Sequence, residues 1–341
     1  MRSRILLLFS LLFLFACRND QVTGENTGTG AADNHPEVQV PRFDRDTAYQ
    51  FVVDQLAFGP RVMNSEGHEA MKKWLVQKMK SYGAEVIEQT FTVPAYTGIA
   101  LNGTNIIAQY NPGLPNRILL AAHWDTRHIA DSPLSTEQRD EPILGADDGA
   151  SGVAVLMEVA RQLNANPIEF GIDIIFFDAE DYGFSKEEYA SQQEQNESVM
   201  SYALGAQHWS RNKHTNERYQ YGILLDMVGA KNAYFPKEGY SMEYAGNVVD
   251  KIWKLARSMA YSNYFADVQG GGVTDDHFFV NNIARIPMID IINLPPDSQN
   301  RGFANHWHTH NDDIDVIDRR TLRVVGQVML AVLYREYNGT L

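Results

Sequence analysis

Short apolar runs, most of them ending in an acid or an imidazole, recur along this chain with helical stretches between them. That alternation constrains the fold more than any other feature. The runs fall at 117–122, 173–177, 222–225 and 286–292. They suit strands buried on both faces of a central sheet. Two further strand-like stretches lie at 84–93 and 104–109. Residues 45–57, 65–82, 149–164 and 321–337 have the pattern of helices. In the second, Met71, Trp74, Leu75 and Met79 recur at helical spacing; in the third, Val155, Leu156, Val159 and Leu163 share a face. Asp318 is placed to cap the last. Strands alternating with helices predict an α/β fold: a three-layer α/β/α sandwich around a mixed, mostly parallel sheet. Residues 184–200 are polar without a clear period and are expected to form a surface insertion or mobile loop.

A chain of 341 residues with 44% apolar side chains can bury a sizeable core without disulfides or structural metals. Its single cysteine, Cys17, excludes an intramolecular disulfide and any zinc site built from several thiolates. With 29 basic against 43 acidic residues the formal charge is −14, which gives no electrostatic reason to seek nucleic acid. Arg2 and Arg4 precede an apolar stretch at 5–15 that is too short to span a bilayer and has the form of a secretory signal. Leu14, Phe15 and Ala16 before Cys17 resemble a bacterial lipobox. The expected organisation is a signal peptide at 1–16, a lipidated Cys17 with a flexible tether through 42, and one domain at 43–341. The expected location is the periplasm or outer membrane, with lipid contact only through the anchor.

The ends of the apolar runs carry the chemistry, because open α/β sheets bind ligands beyond the carboxyl ends of their strands. ILLAAH ends at His123, with Asp125 two residues on. IIFFDAED supplies Asp178, Glu180 and Asp181, and GILLD ends at Asp226. ILGADDGASG sets Asp147 and Asp148 before a helix, VTDDHFF carries Asp275, Asp276 and His277, and NHWHTHNDD alternates His306, His308 and His310. Singly, each has an ordinary explanation. Asp147 or Asp148 serves as a helix cap, His123 as a hydrogen-bonded core residue, Asp275–His277 as a turn, and the alternating histidines as one strand face or a solvated tip. Recurrence at successive strand ends is what chance placement does not explain. Carboxylates and imidazoles without thiolate suit a borderline divalent ion, with zinc foremost. A catalytic zinc keeps one position open, and an adjacent non-ligating carboxylate then acts as general acid/base. Glu180 followed by Asp181 offers both functions from one turn.

HWDTR, ILGADDGASG, FFDAEDYG, LLDMVGAKN, TDDHFFV and FANHWHTHNDD occur in that order from about residue 44 to the end. Together they resemble the animal-type, zinc-dependent glutaminyl cyclases, most closely their bacterial members, which share a fold with the zinc aminopeptidases. The resemblance implies conversion of N-terminal glutamine in peptides or proteins to pyroglutamate, with release of ammonia and one zinc per chain. It matches Asp148, Asp181 and His308 to the zinc ligands and Glu180 to the acid/base. Asp226 and Asp276 match acids in a network with it, and Trp307, Phe303 and Tyr202 match pocket aromatics. His123 matches a position that the aminopeptidases use for a second metal. Animal members carry Glu-Glu where this chain has Glu180–Asp181, so the ion or the strand end must shift by about a methylene's length. A monomer is expected.

Two rivals remain at this stage. A two-zinc aminopeptidase would use His123, Asp148, Asp181, Asp226 and His308, all present here. A catalytically dead surface lipoprotein would keep the pocket for binding alone, but decay usually removes a costly buried charge cluster first.

Overall fold

Side-chain caps fix where several helices begin in a computed structural model of the chain, which describes residues 39–341 except 185 and 187. Asp44 accepts the amides of Asp46 and Thr47 to open α1 (Arg45–Leu56), and Ser65 accepts that of His68 to open α2 (Glu66–Ser81). Then come β1 (Glu85–Pro94), β2 (Ala100–Tyr110), β3 (Arg117–His123), α3 (Ala150–Ala165) and β4 (Ile172–Phe177). Next are α4 (Gln192–Met200), α5 (Leu204–Arg211), β5 (Tyr219–Asp226), β6 (Phe235–Lys237), α6 (Gly239–Ser258) and β7 (Phe265–Gln269). The chain closes with α7 (Asp276–Phe279), a π-helical turn at Val280–Ala284, β8 (Met288–Ile292) and α8 (Arg319–Tyr337), the last capped by Asp318 as expected.

The central sheet runs β1-β2-β4-β3-β5-β8. Both pairings of β2 are antiparallel; β4 with β3, β3 with β5 and β5 with β8 are parallel. This is the expected mixed, mostly parallel sheet. Helices α1, α3, α6 and α8 pack on one face, and α5 and α7 on the other, giving the three layers. Strands β3, β4 and β8 are buried along their whole length, which is why they appear in sequence as nearly continuous apolar runs. No helix among the described residues is long and apolar enough to cross a membrane.

The structure corrects one expectation. Residues 192–200 form α4 rather than a loop, opened by Ser191, whose hydroxyl accepts the Glu194 amide while Glu194 accepts that of Ala190. The leader and Cys17 lie outside the described residues. The last residues assigned to the tether lie within them: the Pro41 carbonyl accepts from Gln327 Nε2 at 3.0 Å.

At the amino ends of the parallel strands a buried ion pair joins Arg117 to Asp173, and Tyr219, Gln109 and His214 also reach Asp173. Arg117 spends its remaining donors on the carbonyls of Tyr110, Asn111 and Ile172. Burial alone would raise the Asp173 carboxyl, but His214, Arg117 and Tyr219 pull it down to about 2. Its folded value lies below the unfolded one of about 3.9, so its contribution is present above that value and is lost as pH falls toward 2. Asp173→Ala leaves Arg117 buried without its carboxylate. It is expected to cost about 3–5 kcal/mol in urea unfolding.

Candidate active site

The carboxyl ends of β4, β5 and β8 converge on one cavity of about 860 Å³. Its inner wall carries Asp148, Glu180, Asp181, Asp226, Asp275 and His308, and Tyr202, Phe303 and Trp307 stand further out. Ala179, Met227 and His308 hold left-handed backbone, with φ of 55°, 47° and 54°. Non-glycine residues seldom accept that conformation, and strain of this kind concentrates at working sites. Here the turns redirect the chain as it leaves β4 and β5 and as it passes the aromatic pair.

Asp148, Asp181 and His308 each offer a donor atom, and the three atoms lie within 4.8 Å of one another. His308 Nε2 is 3.1 Å from Asp181 Oδ1 and 3.7 Å from Asp148 Oδ2. Its other nitrogen, Nδ1, faces Asp131 at 2.8 Å. A carboxylate behind a histidine, fixing which nitrogen points inward, is the usual support of a metal-binding imidazole. Asp181 Oδ2 is buried without a hydrogen-bond partner. An orphaned buried carboxylate oxygen among such donors fits a divalent ion, and the donor set suits zinc.

His123 belongs to a second triple with Asp148 and Asp226. Its Nε2 is 2.9 Å from Asp148 and 3.3 Å from Asp226, but the ring is 1% exposed and does not line the cavity. Gly149 makes this packing possible, since a Cβ there would stand 2.5 Å from His123 Nε2.

Two buried aspartates hold the ligand-bearing backbone. Asp125 accepts the amides of Glu180 and Asp181 at 3.0 and 3.1 Å, one on each oxygen. Asp312 does the same for Asp147 and Asp148, at 2.7 and 3.1 Å. Asp147 itself accepts from Gly229 and faces His306 at 2.9 Å. Neither Asp147 nor Asp148 caps α3, whose cap is Gly149 without a side-chain bond. Arg127, fully buried, ties Asp131 to the carbonyls of Asp181 and Gly183. Asp125→Asn would turn an NH₂ toward one of the two amides. It is expected to weaken zinc binding about 10–100-fold, measured by competition with a chelator.

Glu180 is held well above the ordinary carboxylate range, first by burial and then by Asp275; Asp181 and Asp276 push the same way and His123 opposes. Asp226 is raised too, by burial and then by Asp148 and Asp275 against His123. Carboxylates this crowded share protons.

Most residues singled out from sequence meet here, with two differences. Asp275, not Asp276, lines the cavity, while Asp276 lies fully buried behind it with both oxygens unpartnered. The three alternating histidines form no strand face. They lie in turns, where His306 faces Asp147, His308 faces the ligand cluster and His310 reaches the Gln138 carbonyl. Trp307 stacks on His308 at 3.6 Å and Phe303 on Trp307 at 4.4 Å between ring centroids. Tyr202 packs against Gly183 and lies 5.5 Å from the Arg127 guanidinium. Sequence reasoning missed Asp131 and Asp312, and it named Asp125 and Asp275 among the strand-end acids without giving either a role.

Parallel strands that bring several carboxylates and an imidazole to one cavity define an α/β enzyme with a candidate metal centre. The chain belongs to Peptidase family M28, which matches residues 105–333. It is similar to a Bacteroides thetaiotaomicron glutaminyl cyclase solved with N-acetylhistamine, at 46% identity and a TM-score of 0.82, covering 87% of this chain and 99% of that one. A leucine aminopeptidase precursor from the same organism gives 46% identity and a TM-score of 0.81 over the same shares. The curated glutaminyl-peptide cyclotransferase of Drosophila melanogaster is 25% identical over 289 residues, 77% of this chain and 73% of that protein.

Proposed function

We propose that the chain is a glutaminyl-peptide cyclotransferase, converting the N-terminal glutamine of a peptide or protein to pyroglutamate with release of ammonia. One observation carries the choice of centre: Asp148, Asp181 and His308 open onto the cavity with Glu180 beside them, whereas His123 sits behind Asp148 and away from its wall. A two-zinc peptidase needs a second ion at His123. A single zinc on the open triple is the assignment made here. The similar cyclase structure and the curated cyclotransferase support the reaction.

Bound on that triple, zinc supplies a Lewis acid to the carboxamide oxygen of the substrate. The substrate's own α-amine attacks the side-chain carboxamide carbon, Cδ, so the residue need only be held folded for the partners to meet. Glu180 takes a proton from the amine and delivers it to the departing nitrogen. The new bond joins the α-nitrogen to the δ-carbon, and the bond from that carbon to the amide nitrogen breaks, freeing ammonia. Burial and Asp275 raise Glu180 toward the range in which a carboxyl can both take and give a proton near neutrality. Asp226 and Asp275 border it on the cavity wall, with Asp276 behind. The stacked Trp307 and Phe303 screen the site from water, and Tyr202 completes the aromatic wall.

Export, acylation at Cys17 and a monomeric state complete the proposal, the first two supported by the leader sequence alone. Glutaminyl peptides test the reaction directly. Cyclisation releases ammonia and leaves every residue in the product, whereas a peptidase releases free glutamine and shortens the chain.

A further inference from the structure

We infer that Glu238, which does not line the cavity, is a positioning residue for the cyclisation: through His277 and Asp290 it fixes Asp275 at the cavity wall. This inference rests on the cyclase assignment above.

Glu238 caps α6, but it does more than a cap requires. Its carboxylate gathers the amides of Tyr240 at 2.9 Å, Ser241 at 2.6 Å and Val273 at 2.7 Å, and the Ser241 hydroxyl at 2.7 Å. It also faces His277 Nε2 at 3.0 Å. The amides of Tyr240 and Ser241 would satisfy the helix end. The Val273 amide instead ties the carboxylate to the glycine-rich segment 270–273 of the cavity wall, and the imidazole ties it to the segment that carries Asp275.

The other ring nitrogen of His277, Nδ1, lies 3.8 Å from Asp290 Oδ2. Asp290 lies on β8, and its amide is held by the Ser241 hydroxyl at 2.8 Å. Asp275, His277 and Asp290 bring donor atoms within 4.8 Å of one another, all three residues buried. Asp275 Oδ2, both Asp290 oxygens and His277 Nδ1 have no hydrogen-bond partner. Among the described residues, no ion pair brings a lysine or arginine to Glu238, His277 or Asp290. Carboxylates buried together in this way are neutralised by a proton. Burial, then Asp275, Asp226 and Glu238, push Asp290 well above the ordinary range. Burial alone would raise Glu238 as well, but His277 and Ser241 pull it down to about 2, and it stays an anion. The contacts therefore run in order: anionic Glu238 holds His277, and His277 packs beside the buried Asp290 and Asp275 carboxylates, which share a proton between them. Among neighbouring charges Asp275 acts most strongly on Glu180.

The test is a double-mutant cycle with Glu238→Gln, His277→Gln and the pair, on zinc-loaded enzyme and a glutaminyl peptide. Each single change is expected to lower kcat about tenfold with KM within about twofold and zinc content unchanged, and the double to be no worse than either single. His277→Gln leaves the α6 cap intact, so it reports on the relay even where Glu238→Gln lowers the melting temperature. Asp290→Asn keeps a donor toward Asp275 and is expected to stay within about threefold of wild type, while Asp290→Ala joins the loss. Losses that add across the cycle, a change confined to KM, or wild-type kcat in both single variants would overturn the relay. Wild-type enzyme that releases no ammonia would instead overturn the cyclase assignment.

Discussion

Glu180→Gln is expected to bind zinc as the wild type does and to lose cyclisation by about 10²–10⁴-fold, the range lost when a positioned acid/base is removed. The reason lies in the division of labour at the end of β4. Asp181 reaches His308 and Asp148, and Glu180, one residue earlier, faces the same cavity without belonging to that triple. Gln keeps the shape and a carbonyl acceptor but carries no proton between amine and leaving nitrogen. The amides of Glu180 and Asp181 remain on Asp125, so the metal site should not move. Zinc content by elemental analysis and ammonia release by a coupled assay read the two properties separately. Near wild-type turnover in this variant would remove Glu180 from the role given to it.

His308→Ala is expected to lose both properties, with bound zinc falling below stoichiometry after dialysis and turnover falling to background. Two carboxylates without the imidazole lack the third protein ligand that a catalytic zinc site usually has. Loss of the ring also removes the support under Trp307, which stacks on it at 3.6 Å. Asp131 keeps its partner Arg127, so the surrounding loop should hold, and a melting curve close to wild type is the accompanying result. A variant that retains one zinc and cyclises would show that the ion is held elsewhere.

The ends of β3, β4 and β5 were legible in the sequence because strands buried on both faces leave nearly continuous apolar runs, and the first polar residue beyond each run marks the strand's end. His123, Asp226 and the Glu180–Asp181 pair were found that way. Helix α4 was not, because it is polar on nearly every side and buries only Ser198, so it has no apolar period. Its signal was the cap, Ser191 with Glu194. Helix α6 was missed for another reason. Ala245 has φ −145° and breaks the helix into two phases, so the apolar residues from Val248 to Ala256 continue no pattern from before it. The supporting aspartates are a harder case. Asp125 grips amides 55 and 56 residues away, Asp312 amides 164 and 165 away, and Asp131 an imidazole 177 away. Nothing local in a sequence marks an acceptor whose donors arrive only with the tertiary fold. Asp275 and Asp276 divide on a local detail. Asp275 has the extended backbone of a helix cap and faces the cavity, whereas Asp276 is the first helical residue and turns inward.

Zinc titration of chelator-stripped protein, followed by ammonia release from a Gln-Ala-type peptide, addresses the centre of the mechanism directly. A single ion on Asp148, Asp181 and His308 predicts activity that climbs to a break at one equivalent per chain and then stays level, with a product that retains both residues. Activity that appears only at two equivalents, or free glutamine in the product, would contradict it.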